Sequence, residues 1–264
     1  MAAPRSVELA RRGAVATVTI RRPEVHNAFN EEVIAQLHQA FETVSADAAT
    51  RVVVLAGEGP SFSAGADLDW MRRAAGFGEE ENRRDAAALT TMLRAIAECP
   101  CPVVARVQGA ALGGGAGLVA AADLAVAAES ARFGFTETRL GLVPATVAPY
   151  VVKKIGQGGA LRLFLTGERF DAAHALAIGL VYRVVPDTEL DAAIEEVVSA
   201  LLAGGPQAQG VCKELVRRAA SDDREIDEYT ADLIARVRSS EEGREGVRAF
   251  LEKRKPSWFQ AADV

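Results

Sequence analysis

Hydrophobic positions along the chain change period several times. Val7 and Leu9, then Val15 to Ile20, read as two strands, with Arg11, Arg12 and Gly13 as the turn of a hairpin. After Asn30, the residues Val33, Leu37, Phe41 and Val44 recur at helical spacing. Asn30 suits the helix N-cap, and Glu31 and Glu32 suit its positive end.

Two similar units follow. Residues 51–57 are almost wholly apolar and read as a buried strand ending at Gly57. A loop of small residues, 58–67, leads to a helix expected near Leu68. Leu89, Met92, Leu93 and Ile96 mark a connecting helix, which Pro100 and Pro102 separate from a second strand, 103–107. A second small-residue loop, 108–115, then feeds a helix expected from about Ala116, and 124–127 offers a third strand. Strands joined through helices indicate an α/β fold with right-handed crossovers. Asp171 is placed to cap a short helix that Gly179 closes, before a strand over 181–185. Leu190, Ile194, Val197 and Leu201 mark a helix ended by Gly204, Gly205 and Pro206. From Gln207 onward the chain reads as charged helix, so the expected division is an α/β core over 1–203 and a helical region over 204–264.

Composition narrows the function. The chain has 264 residues, 49% hydrophobic and 25% charged, which is ordinary for a globular protein. Its net charge of -6 gives no electrostatic footprint for nucleic acid. The most apolar stretch, 109–122, is broken by five glycines and falls short of the ~20 residues that cross a bilayer, so no membrane partner is expected. Met1 to Glu8 carries no apolar signal core. Three cysteines, two of them in a C-x-C pair, match neither a disulfide framework nor a common zinc spacing. A reduced, cytoplasmic setting is the expectation, with no metal site; Cys99 and Cys101 beside prolines read as buried thiols. His26, His38 and His174 do not cluster.

Candidate chemistry lies in the two small-residue loops. Each runs from a strand into a helix, where backbone N–H groups have no helical partner and face the positive end of the dipole. One such loop suits a phosphate; two on neighbouring strands could aim their N–H groups at a single oxygen. No Gly-Lys-Ser/Thr P-loop and no G-x-S-x-G elbow occurs. Gly115, Gly117 and Ala120 formally satisfy a dinucleotide pattern, but it begins eight residues past Val107 rather than at the strand end. Close helix packing is the other reading of Gly113 to Gly117.

Ordered motifs carry a resemblance across roughly residues 7 to 255. Residues 61–67 (SFSAGAD), 108–115 (QGAALGGG), 122–124 (ADL), Phe133-Gly134 with Glu137, Leu140-Gly141 and Pro144, 165–167 (LTG) and 245–250 (EGVRAF) resemble the signatures of the enoyl-CoA hydratase/isomerase (crotonase) superfamily. The resemblance implies an α/β fold: a crotonase-like spiral of ββα units with a C-terminal helical oligomerisation region, assembled as a homotrimer or homohexamer. It implies an acyl-CoA thioester as substrate, coenzyme A being part of that substrate and no separate cofactor being needed. It assigns the N–H groups of Ala66 and Gly114 to the thioester oxygen and a proton-transfer role to Glu137. It lays Ala64, Ala66, Asp67, Leu68 and Asp69 along the coenzyme. Arg22, Lys253 and Lys255 are candidates for its phosphates.

One departure matters. The family's hydratases use a second glutamate two residues after the glycine run, and here that position is Gly117. Hydration of a 2-enoyl-CoA by Glu137 alone is the leading expectation. The motif Ala116-Gly117-Leu118 and residues 142–149 resemble a branch acting on branched or carboxylated enoyl-CoAs, including methylglutaconyl-type substrates. The alternative is a Δ3,Δ2-enoyl-CoA isomerase, for which one carboxyl suffices. A catalytically weak acyl-CoA-binding protein is a third reading, motivated by Gly117 and opposed by the retained Glu137. Away from that motif context, Glu137 would read as a solvated or Arg139-paired carboxylate, and Asp67 reads more naturally as a helix cap than as a catalyst.

Overall fold

A computed structural model describes residues 6–221 and 225–259. The outermost residues of the expected 1–203 and 204–264 division, and the helical reading of 222–224, fall outside that range.

The chain opens with β1 (Val7–Arg12) and β2 (Val15–Ile20), an antiparallel hairpin whose turn is at Gly13 and Ala14, so Arg11 and Arg12 lie in the first strand rather than in the turn. Helix α1 (Glu31–Ala46) follows, capped as expected by Asn30, whose side chain accepts from Val33 N–H. Then come β3 (Val52–Gly57), α2 (Leu68–Ala74), α3 (Glu79–Ala97), β4 (Val103–Val107), β5 (Ala110–Leu112), α4 (Gly114–Ala121), β6 (Leu124–Ala128) and β7 (Arg132–Gly134). The core ends with α5 (Ala148–Thr166), β8 (Arg169–Asp171), α6 (Ala172–Ala177), β9 (Arg183–Val185) and α7 (Leu190–Ala203). Helices α8 (Pro206–Ala219), α9 (Ile226–Ser239) and α10 (Glu241–Leu251) complete the described chain.

Six strands form one sheet in the order β1-β2-β3-β4-β6-β9, parallel from β2 onward. A smaller sheet, β5-β7-β8, stands beside it. After β4 and again after β6 the chain adds one short strand to the small sheet, so the two sheets climb together as a spiral. All six residues of β3 are buried, which explains its unbroken apolar run. Its alternate residues face two cores. Val53 and Leu55 join the large cluster with α1, α3 and α4, while Val52 and Val54 meet Ile194, Val197 and Val198 of α7. Among the described residues no helix is long and apolar enough to cross a membrane.

The C-terminal helices are tied to the core by polar contacts. The Lys213 ammonium on α8 donates to Asp123 Oδ2 at 2.6 Å and to the carbonyls of Cys99 and Cys101 at 2.7 and 3.1 Å. Asp123 in turn accepts from Val103 N–H. Farther along, Arg51 donates to the carbonyls of Gly204 and Trp258. The Lys213 side chain is largely shielded from water, so removing it leaves Asp123 facing a poor solvent. Lys213→Met is expected to lower unfolding stability by about 2 kcal/mol, measured by urea denaturation.

Candidate active site

In open parallel sheets the loops beyond the strands' carboxyl ends form binding sites. Here those loops follow β3 and β4, and backbone hydrogen bonds stitch them together. Phe62 N–H donates to the Gln108 carbonyl at 2.8 Å, Ser63 N–H to the Ala110 carbonyl at 2.9 Å, and Leu112 N–H to the Ser63 carbonyl at 3.0 Å. The Ser63 hydroxyl donates to the Asn27 carbonyl at 2.8 Å, and Ser63 is fully buried. Gly65 adopts φ +90°, and a Cβ there would lie 2.7 Å from the Leu112 carbonyl oxygen, so only glycine allows this approach.

The stitching fixes the direction of Ala66. Residue 66 pairs with Phe29 as a parallel bridge: Phe29 N–H donates to the Gly65 carbonyl at 2.6 Å, and Asp67 N–H donates to the Phe29 carbonyl at 2.8 Å. In extended backbone, alternate peptide groups face opposite sides, so the Ala66 N–H points away from Phe29. No described residue accepts a hydrogen bond from it. The second amide arises from helix geometry. Helix α4 begins at Gly114, two residues earlier than the sequence pattern indicated, with Gly113 as its N-cap at φ +52°. The Gly113 carbonyl accepts from Gly117 N–H, as an N-cap should, while the Gly114 N–H has no acceptor among the described residues.

Glu137 reaches this helix start through the small sheet. Strand β7 pairs in parallel with β5, matching Gly134 to Leu112, and Gly113 N–H donates to the Gly134 carbonyl at 2.8 Å. Three residues on, Glu137 opens a 3-10 turn over Glu137–Leu140, anchored where Thr138 Oγ1 donates to the Phe164 carbonyl at 2.7 Å. A Cβ built on Gly113 would lie 3.3 Å from Glu137 Oε1, so the carboxyl sits against the residue preceding Gly114. Glu137 Oε2 is buried with no hydrogen-bond partner. Burial pushes the Glu137 pKa above the ordinary glutamate value, opposed only by a hydrogen bond to its own backbone. No ion pair joins it to Arg139 among the described residues.

The other expected positions divide. Ala64 is held by its N–H to the His26 carbonyl at 2.9 Å. Asp67 caps α2, accepting from Asp69 N–H and Trp70 N–H, and pairs with Arg22 at 2.9 Å, which lowers its pKa despite burial. Leu68 is exposed, and Asp69 is exposed and paired with Arg72. Arg22, named above for a coenzyme phosphate, donates to Asp67 and to the Ala28 carbonyl. Lys255 stacks on Phe259 near the far C-terminus. No group of three or more His, Cys, Asp or Glu among the described residues is arranged to hold a metal.

Gly117 shows why its position holds no carboxylate. A Cβ there would lie 2.2 Å from Val147 Cγ1, and Val147 is fully buried. The valine fills the space a second acid would need, and it comes from residues 142–149, whose sequence gave no signal of that contact.

Comparison with known proteins points one way. Residues 10–261 match the family described as enoyl-CoA hydratase/isomerase. A solved enoyl-CoA hydratase from Shewanella pealeana is 39% identical, with a TM-score of 0.92 over 96% of each chain. A short-chain-enoyl-CoA hydratase of Clostridium acetobutylicum is 31% identical over 97% of this chain and 98% of its own. A trans-2-decenoyl-acyl-carrier-protein isomerase of Streptococcus mutans is 30% identical over 92% of this chain and 94% of its own.

The raised Glu137 pKa has a consequence for stability. The native state holds that proton more tightly than the unfolded state does, so the group's contribution is fully present below about pH 4.5 and declines as pH rises through the folded pKa. At neutral pH the buried charge therefore opposes folding. Glu137→Gln is expected to gain stability over the wild type at pH 7, with the gap shrinking toward pH 4, in paired denaturant titrations.

Proposed function

The chain belongs to the enoyl-CoA hydratase/isomerase family and is an enzyme of that kind, and we propose that it adds water to a 2-enoyl-CoA with Glu137 as the sole carboxylic acid–base. The observation that carries this reading is the Glu137 carboxyl lying against Gly113, one residue from the unpartnered Gly114 amide.

In the proposed reaction the thioester oxygen accepts hydrogen bonds from the Ala66 and Gly114 amides. Ionised Glu137 takes a proton from water as the oxygen of that water bonds to Cβ. The electron pair of the Cα–Cβ double bond moves onto the thioester as an enolate. Negative charge grows on the thioester oxygen, where fixed donors lower the barrier most; one such donor is typically worth roughly 3–4 kcal/mol. Glu137 then returns the proton to Cα, the enolate collapses, and the carboxylate is regenerated. A pKa raised by burial suits a group that must both take and give a proton. No cofactor beyond the coenzyme A of the substrate enters this scheme.

The apolar wall that Val147 builds at Gly117 leaves the attacking water without a second enzyme carboxylate. A branched acyl group that also carries a carboxylate, of the methylglutaconyl type, would supply a polar group of its own there. The same dry wall favours a second reading, a Δ3,Δ2-enoyl-CoA isomerase in which Glu137 carries one proton from C2 to C4. A catalytically weak acyl-CoA-binding protein is disfavoured by the buried acid, which such a protein would not need. The coenzyme would run past Ala64, Asp67, Leu68 and Asp69. Assembly as a homotrimer or homohexamer would cover the exposed apolar Val247, Phe250 and Leu251 of α10, and the free cysteines fit a reducing cytoplasm.

Parallel assays with crotonyl-CoA, 3-methylglutaconyl-CoA and a 3-enoyl-CoA test this. Loss of conjugated enoyl absorbance with either 2-enoyl substrate is expected, falling about 100-fold or more in Glu137→Ala with thioester affinity retained. Activity confined to the 3-enoyl substrate would establish the isomerase instead, and equal inertness of wild type and variant would leave a binding protein.

A further inference from the structure

We propose that Phe29 is the positioning residue for both amides of the site, aligning Ala66 with its backbone and Gly114 with its ring. The inference rests on the reading of those amides as donors to the thioester oxygen, and adds what holds them in register.

Ala66 and Gly114 come from different loops, and neither amide is oriented by its own side chain. Phe29 touches both. Its N–H and carbonyl bind Gly65 and Asp67 at 2.6 and 2.8 Å, which clamps residue 66 on both sides and turns its N–H outward. Its ring packs beneath the first residue of α4: a Cβ built on Gly114 would lie 2.7 Å from Phe29 Cε2 and 3.0 Å from Cδ2. Any side chain at 114 would displace the ring or the helix start, so glycine and phenylalanine fix each other's place.

Phe29 is itself held firmly. It is 2% exposed and belongs to the main core. Before it, Asn27 is fully buried in left-handed backbone, with its side chain accepting from Arg22 N–H and donating to the carbonyls of Glu58 and Ser61. The Arg22 guanidinium also holds the Ala28 carbonyl at 2.7 Å. After it, Asn30 caps α1. The residue is therefore pinned from both directions.

A residue that merely fills the core would affect stability alone. A residue that aligns two donors affects the charged state of the ligand more than the neutral one, because misplacing a donor by a fraction of its bond length weakens the interaction that grows in the transition state. The test compares Phe29→Leu and Phe29→Ala with the wild type in kcat, KM, and affinity for two thioesters. Butyryl-CoA is neutral at its acyl group; the enolate of acetoacetyl-CoA spreads negative charge onto the thioester oxygen.

The wild type is expected to prefer acetoacetyl-CoA. Both variants should lose about tenfold to 100-fold in kcat and a similar share of that preference, with butyryl-CoA affinity and KM little changed. Phe29→Leu keeps the backbone clamp and most of the buried volume, so it decides the matter should Phe29→Ala fail to fold. Wild-type kcat and preference in the leucine variant, which keeps the clamp and loses the ring, would overturn the ring's part in aligning Gly114 and with it the proposal that Phe29 positions both amides. A wild type with no preference would instead overturn the oxyanion reading itself, and the proposal with it.

Discussion

Backbone hydrogen bonding between two loops is the constraint on which the site depends. Ser63 gives its N–H to Ala110 and its carbonyl to Leu112, so the segments after β3 and β4 behave as a short extra pair of strands beyond the main sheet. Loops buried this deeply must satisfy their peptide groups, and these do so mostly with one another. Among the amides without an acceptor in the described residues are Ala66, just past the paired stretch of the first loop, and Gly114, at the start of α4. Unpaired donors arise at the boundary of an otherwise complete ladder, which is why a rigid scaffold can leave them free without collapsing around them.

Much of this architecture is legible in the chain itself. The apolar run read over 51–57, the cap at Asn30 and the helical spacing after it each obey a local rule; the strand forms over Val52–Gly57, one residue shorter, and α1 begins after Asn30 as the cap indicates. The glycine run is legible because small residues stand out against their neighbours, whereas Glu137 is legible only through the motifs around it, since a lone carboxylate ordinarily reads as solvated. The small sheet is not, since β5, β7 and β8 have three residues each and no period can emerge from three positions. The start of α4 at Gly114 runs against glycine's poor helix propensity; close approach of Ser63 and Phe29 demands the missing side chains. The pairing of Arg22 with Asp67 joins residues 45 apart in the chain. Contacts of that range have no local signature.

Val147 packs where the resemblance would put a second acid. Against Gly117 it closes the helix face that would otherwise carry an acid, and it does so from a segment whose own conformation follows from Glu137: Leu142 N–H donates to the Glu137 carbonyl at 3.0 Å. The retained acid and the apolar wall thus lie on one continuous segment between β7 and α5. Placing a carboxylate at 117 requires moving Val147 as well as replacing one residue.

Because the two free donors belong to the main chain, their existence is indifferent to side-chain identity. No single replacement other than proline can delete an amide, so neither Ala66 nor Gly114 can be erased in the way a catalytic side chain can. Change must act instead through shape, by crowding or loosening the surfaces behind them. On the proposed function, the efficiency of such a site would be tuned through the volumes of apolar neighbours such as Phe29, where a search for reactive groups would not look.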